Sequence, residues 1–132
     1  MIIEEALVAY LTGYAGLSAL IGTRLYPLRL PENPTYGAVT YHRISGPRVQ
    51  SHSGPSGLAY PRFQFDCYAT SYLGAKNVAT QVRIALDGFK GTMGGASGVA
   101  VSSALSQNDR DFYDPTTRIW RVSADYIIGH AE

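Results

Sequence analysis

The sequence predicts an α+β domain in which an antiparallel β-sheet packs against two α-helices. Three observations carry that prediction. Two stretches place apolar residues at helical spacing. Several others alternate at the period of a strand and are rich in β-branched and aromatic residues. Their order is helix, strands, helix, strands, without the regular alternation that builds a doubly wound parallel sheet. The 132 residues make one domain, 1–132, with no internal repeat or linker. A chain of 14.3 kDa should fold to about 6,800 Å² of surface and bury about two thirds of its extended-chain area.

The first helix spans about residues 2–12. Glu4 and Glu5 suit its positive end, and Ile3, Ala6, Leu7, Tyr10, Leu11 and Tyr14 recur on one side. Gly13 and Gly16 interrupt it, and Leu17, Leu20 and Ile21 add a short helical turn stopped by Gly22. Residues 23–30 read as an extended segment, kept to an edge or loop by Pro27, Pro31 and Pro34. A strand covers 38–45. Residues 46–60 show no period and form a long mobile connection. The clearest strand follows: Phe63, Phe65, Cys67 and Ala69 point one way, and Arg62, Gln64, Asp66 and Tyr68 the other.

Thr70 or Ser71 caps the second helix, whose buried stripe is Ala75, Val78, Ala79, Val82, Leu86 and Phe89. Gly88 is placed to be its left-handed C-terminal residue. Residues 91–98 form a second glycine-rich loop. Val99, Val101, Ser103 and Leu105 alternate as a strand, 108–117 is a polar turn region, and a last strand runs over 118–128. That strand puts Trp120, Val122, Ala124, Tyr126 and Ile128 on one face.

Composition excludes more than it assigns. Charged residues make up 16%, below the usual share of about 25%, and the net charge of +1 draws the chain toward neither DNA nor anionic lipid. Tyr supplies 10 aromatic residues against 4 Phe and 1 Trp, a balance that suits burial against a partner. The single Cys67 excludes an internal disulfide, and burial should keep its thiol inert in a reducing cytoplasm. No apolar run has the length of a membrane span, and the N-terminus lacks a signal-peptide pattern.

No catalytic or cofactor motif emerges. His42, His52 and His130 are too far apart in sequence for a local metal motif. Residues 91–98 lack the Gly-Lys-Ser/Thr ending of a phosphate loop, and no Gly-x-Ser-x-Gly elbow is present. The carboxylates Asp109, Asp111 and Asp114 lack the glycine and distal glutamate of a calcium loop. The expectation is a protein with no catalytic residue, no metal and no cofactor.

The order of short motifs carries a resemblance. Arg24-Leu25-Tyr26-Pro27 precedes Val39-Thr40-Tyr41-His42-Arg43-Ile44-Ser45. Gly54-Pro55-Ser56-Gly57-Leu58 then leads to Arg62-Phe63-Gln64-Phe65-Asp66-Cys67-Tyr68-Ala69. A helix ends in Val82-Arg83-Ile84-Ala85-Leu86-Asp87-Gly88-Phe89. The close is Asp109-Arg110-Asp111, Tyr113-Asp114-Pro115 and Trp120-Arg121-Val122-Ser123-Ala124-Asp125-Tyr126 before His130. This succession resembles the phage tail-completion family of tail terminators and head-to-tail joining proteins. Gly37 and Gly129 depart from it, where the family often has a proline and a larger residue.

The resemblance implies a tail-terminator-like fold and a structural role in the virion, at the head-proximal end of the tail, after assembly in the host cytoplasm. It implies a homo-oligomer, a hexameric ring that ends the tail tube and presents the head-attachment surface. The partners implied are the tail tube protein and a head–tail connector or head-closure protein. DNA passes through the ring without specific binding, and no membrane is involved. Another neck ring, or a small-molecule-binding α+β domain, is the alternative. The residues expected to meet partners are Arg48, Gln50, His52, Ser56, Met93, Ser97 and Tyr113. Glu4, Glu5, Asp109, Asp111 and Asp114 are candidates for an acidic lumen lining.

Overall fold

The N-terminal apolar stripe folds as α1 (Ile3–Thr12) in the computed structural model, which describes residues 1–46, 48–51 and 54–132, without the side chains of 48–51 and 54–56. Glu5 Oε1 accepts the Ile2 N–H at 3.1 Å and so satisfies one donor that the helix start leaves open. Where the sequence predicts only a turn, a third helix forms, α2 (Ala15–Ile21), which Gly22 ends at φ 60. The long amphipathic stripe gives α3 (Tyr72–Leu86). Ser71 is its cap: its Oγ accepts the Gly74 N–H at 3.0 Å. Gly88 has φ +82, the left-handed value its position requires, and donates its N–H to Ala104 O at 2.7 Å.

The strands are β1 (Leu25–Pro27), β2 (Ala38–Ser45), β3 (Arg48–Ser51), β4 (Gly54–Ala59), β5 (Arg62–Ala69), β6 (Gly91–Met93), β7 (Val99–Asp114) and β8 (Ile119–Ala131). They form one sheet in which β8 is central. One edge of β8 pairs with β5 along 62–69 and with the end of β4; the other pairs with β7 over almost its full length. Beyond β5 lie β2 and then β1, the single parallel pair among the described residues. β6 adds to the start of β7, and β3 pairs with β4.

The pleat sorts the two sheet faces. Phe63, Phe65 and Cys67 of β5 and Val122, Ala124, Tyr126 and Ile128 of β8 are buried on one face under the helices, as their alternation predicts. Leu7 and Leu11 of α1, Leu17 and Ile21 of α2 and Val78, Val82 and Leu86 of α3 complete a single core. Phe65 meets Tyr126 edge-on at 5.7 Å between ring centroids. The accessible surface, 7144 Å², is close to the area expected for this mass. Tyr60 occupies the space beside Gly129, where a Cβ would lie 2.5 Å from its Cε1. A side chain at position 129 would require Tyr60 and Ser103 to shift.

Four sequence expectations need correction. Residues 46–60 are not simply a connection, because β3 and β4 pair within them. The polar segment 108–114 is strand rather than turn, and the turn is confined to 115–118. The glycine-rich segment begins with β6, which pairs with β7. Finally, a register shift between Val101 and Ser103 puts Ala104 in the core and leaves Leu105 51% exposed, so Leu105 does not share the face of Val101.

Removing the Phe65 ring opens a cavity at the centre of the core. Phe65→Ala is expected to lower stability by about 3–5 kcal/mol in a urea melt. Burial pushes the Cys67 thiol far up from its ordinary pKa, with Asp66 adding to the effect. Cys67 should therefore stay unreactive toward a thiol reagent at neutral pH until the chain unfolds; rapid labelling of the folded protein would contradict its burial.

Candidate functional site

Where β5 ends, β8 begins and α3 starts, the sheet carries a cluster of aromatic side chains. Tyr113 packs on Trp120 at 4.4 Å between centroids, and Tyr72 meets the same indole at 5.4 Å. The Tyr72 hydroxyl donates to Asp111 Oδ2 at 2.9 Å, and Lys76 Nζ lies 2.8 Å from Asp111 Oδ1. These contacts fasten the first turn of α3 to β7. They draw the Asp111 carboxyl below its ordinary pKa, through the Lys76 hydrogen bond first and the Tyr72 hydroxyl second. Tyr72, Phe112 and Tyr113 nevertheless stay 45%, 43% and 44% exposed. Tyr72 and Tyr113 leave aromatic surface exposed around Trp120, and Phe112 does so on the opposite face of β7, against Arg121.

Beside them an open cleft of about 480 Å³ runs between the segment after β1 and the β7–β8 turn. Leu30 and Tyr36 line it from the segment after β1, Tyr68 from β5, and Phe112, Tyr113 and Pro115 from β7 and the turn that follows. Arg121 lies over the Phe112 ring, 4.3 Å from its centroid. On the rim Asp114 accepts the Thr116 N–H at 2.9 Å, which holds its carboxyl below the ordinary pKa. The pocket offers apolar and aromatic surface for shape recognition.

The sheet face away from the helices is polar. Asp125 is 3% exposed and is held by Arg62 at 3.1 Å and Arg110 at 3.4 Å. Asp66 accepts hydrogen bonds from the Ser123 hydroxyl and from Gln64 Nε2. The network spans β5, β8 and β7 and leaves these two buried carboxylates with partners. Among the described residues no group of His, Cys, Asp and Glu is placed to hold a metal ion. None of the described helices is long and apolar enough to cross a membrane.

Of the residues expected to meet partners, Tyr113 lies in the aromatic cluster and Ser97 is exposed in the turn after β6. Met93 is 0% exposed and belongs to the core, because the β6 pairing turns it inward; its side chain does not present itself to a partner. Arg48 and Gln50 fall on β3 and Ser56 on β4, and His52 lies outside the described residues. Among the candidate lumen acids, Glu4 pairs with Arg43 at 3.5 Å, and Asp111 and Asp114 have the partners named above. Sequence reasoning missed Tyr36, Tyr68, Phe112, Ile119 and Arg121 as cleft residues. The one signal pointing toward them was the excess of tyrosine.

The family described as Tail completion protein gp17 matches residues 5–131. Among solved structures, the fold is similar to a chain in the virion of a native gene transfer agent particle, with a TM-score of 0.74. The two share 18% identity over 93% of this chain and 90% of that one, a likeness of fold. No curated protein sequence matches.

The lowered Asp111 pKa has a sign that can be tested. A carboxyl whose folded pKa lies below its unfolded value adds stability above the unfolded pKa and loses it as pH falls through the folded one. Both partners are well exposed, so the contribution is expected to be only about 0.5 kcal/mol. The stability gap between the wild-type chain and Asp111→Asn should be full at neutral pH and close below about pH 4. Urea melts across that range measure it, and a gap that widens in acid would contradict the assignment.

Proposed function

Because the chain belongs to the tail completion protein family and is therefore a structural protein of a phage-type virion tail, we propose that it acts as a hexameric ring that ends the tail tube and presents the surface to which the filled head attaches. The match over residues 5–131 carries this reading, since it spans both helical regions and every strand of the sheet. The rigid core under the sheet makes each subunit a wedge. Copies joined head to tail through two different surfaces close into a ring when the rotation between neighbours divides a full turn.

The surface chemistry suits this role. A charge share of 16% and an exposed aromatic cluster favour subunit contacts, whose centres are depleted in charge and rich in aromatic side chains. The tube protein and a connector or head-closure ring are the partners on either side, and DNA passes through the lumen without specific binding. The net charge of +1 fits such passage, because a strongly basic lining would hold the duplex. The role needs shape and contact, with no bond-making step.

Light scattering should give a mass several times that of one chain, and negative-stain images a hollow annulus. Deleting the gene should yield tails of abnormal length. Normal tails that fail to join heads would move the assignment to a joining ring of the same neck. A chain that stays single beside purified tubes would overturn the ring.

A further inference from the structure

Away from the aromatic cleft, an open pocket of about 570 Å³ lies between the start of α1 and the end of β8. Three separate elements bring nitrogen atoms to it. Ile3 and Glu4 line it from the first turn of α1, where the earliest N–H groups have no partner within the helix. The cap position there holds Ile2, whose side chain has no acceptor to offer them. Arg43 lines the pocket from β2, and His130 from β8. His130 is only 5% exposed, and its Nδ1 donates to Ala131 O at 2.8 Å. Among the described residues, His130 Nε2 and Arg43 Nε are buried without a hydrogen-bond partner. A polar group left in that state loses its hydration and gains nothing in return. The other charged groups of the pocket are the Met1 ammonium, Glu4 and exposed Glu132. Both Glu4 oxygens lie 3.5 Å from Arg43 Nη2, a long contact that leaves Nε open.

We propose that this pocket binds an oxyanion, a sulfate, phosphate or carboxylate group held jointly by Arg43, His130 and the open N–H groups of α1. The helix start supplies partial positive charge and backbone donors. Arg43 adds a full charge and a planar donor fork that fits two oxygens of one anion. His130 gives the site its signature. Because Nδ1 already donates to a carbonyl, a neutral ring offers only a lone pair at Nε2. An anion is therefore held there by the imidazolium form, and binding takes up a proton. Glu4 competes with the anion for Arg43. The site stands whether or not the chain assembles into a ring.

Inorganic sulfate and acetate are the probes, each titrated into the whole chain slightly above neutral pH. NMR follows the Ile3 and Glu4 amides and the His130 ring. A saturable shift at all three places is expected, and the tighter anion tells whether the natural group is tetrahedral or a carboxylate. Arg43→Gln and His130→Leu should each weaken binding at least about tenfold. Glu4→Gln should tighten it severalfold by removing the competing carboxylate, an effect that a purely structural role would not produce. Calorimetry in two buffers of different ionisation heat should show that the wild type takes up a proton on binding. His130→Gln places an uncharged N–H near the Nε2 position and should bind without that uptake. Thermal melts check that each variant folds; if His130→Leu does not, the Arg43 and Glu4 variants decide. The absence of any saturable shift up to about 50 mM of either anion overturns the proposal, since no site of useful affinity would then exist. Shifts indifferent to Arg43→Gln, weaker binding by Glu4→Gln, or wild-type binding without proton uptake overturn it as well.

Discussion

The fold depends on β8 being paired along both edges. With β5 on one side and β7 on the other, its side chains alternate between two environments that cannot be exchanged. Val122, Ala124, Tyr126 and Ile128 enter the core, while Ser123 and Asp125 stand on the opposite face. A slip of one residue would push Asp125 into the core and expose Tyr126. Burial of apolar area and the cost of desolvating a carboxylate therefore enforce the same register.

The polar face answers to that register. Asp125 is reached by Arg62 from β5 and Arg110 from β7, so one carboxylate ties three strands together. Such a pair adds modest net stability, since desolvation offsets most of the Coulomb attraction, but it penalises misaligned strands heavily. A similar economy holds elsewhere: Glu4 and Asp111 each engage a cation of their own chain. Tyr72, Leu73, Phe112 and Tyr113 stay exposed near the end of the sheet where α3 is fastened to β7, on paired strands and a helix.

A glycine-rich segment that orders on binding loses conformational entropy with every contact it makes. Side chains on paired strands lose far less, because their backbone is already fixed. A ring that must close at a set rotation benefits from the stiffer kind of contact.

By itself the sequence determined the elements that bury one side. The helical stripes of α1 and α3, the bounds of β2 and β5, a cap at Thr70 or Ser71, the left-handed Gly88 and the buried Cys67 were all legible, because local periodicity reports one-sided burial and because capping is decided within a few residues. The tertiary structure alone decided the rest. Residues 108–114 are exposed on both faces and show no apolar period; they are strand because β8 supplies their hydrogen-bond partners. The register shift past Val101 turned Leu105 outward, and pairing with β7 turned Met93 inward, neither of which neighbouring residues announce. The cleft escaped for the same reason: Tyr36, Tyr68 and Phe112 lie far apart in the chain and meet only because the strand order places their ends together.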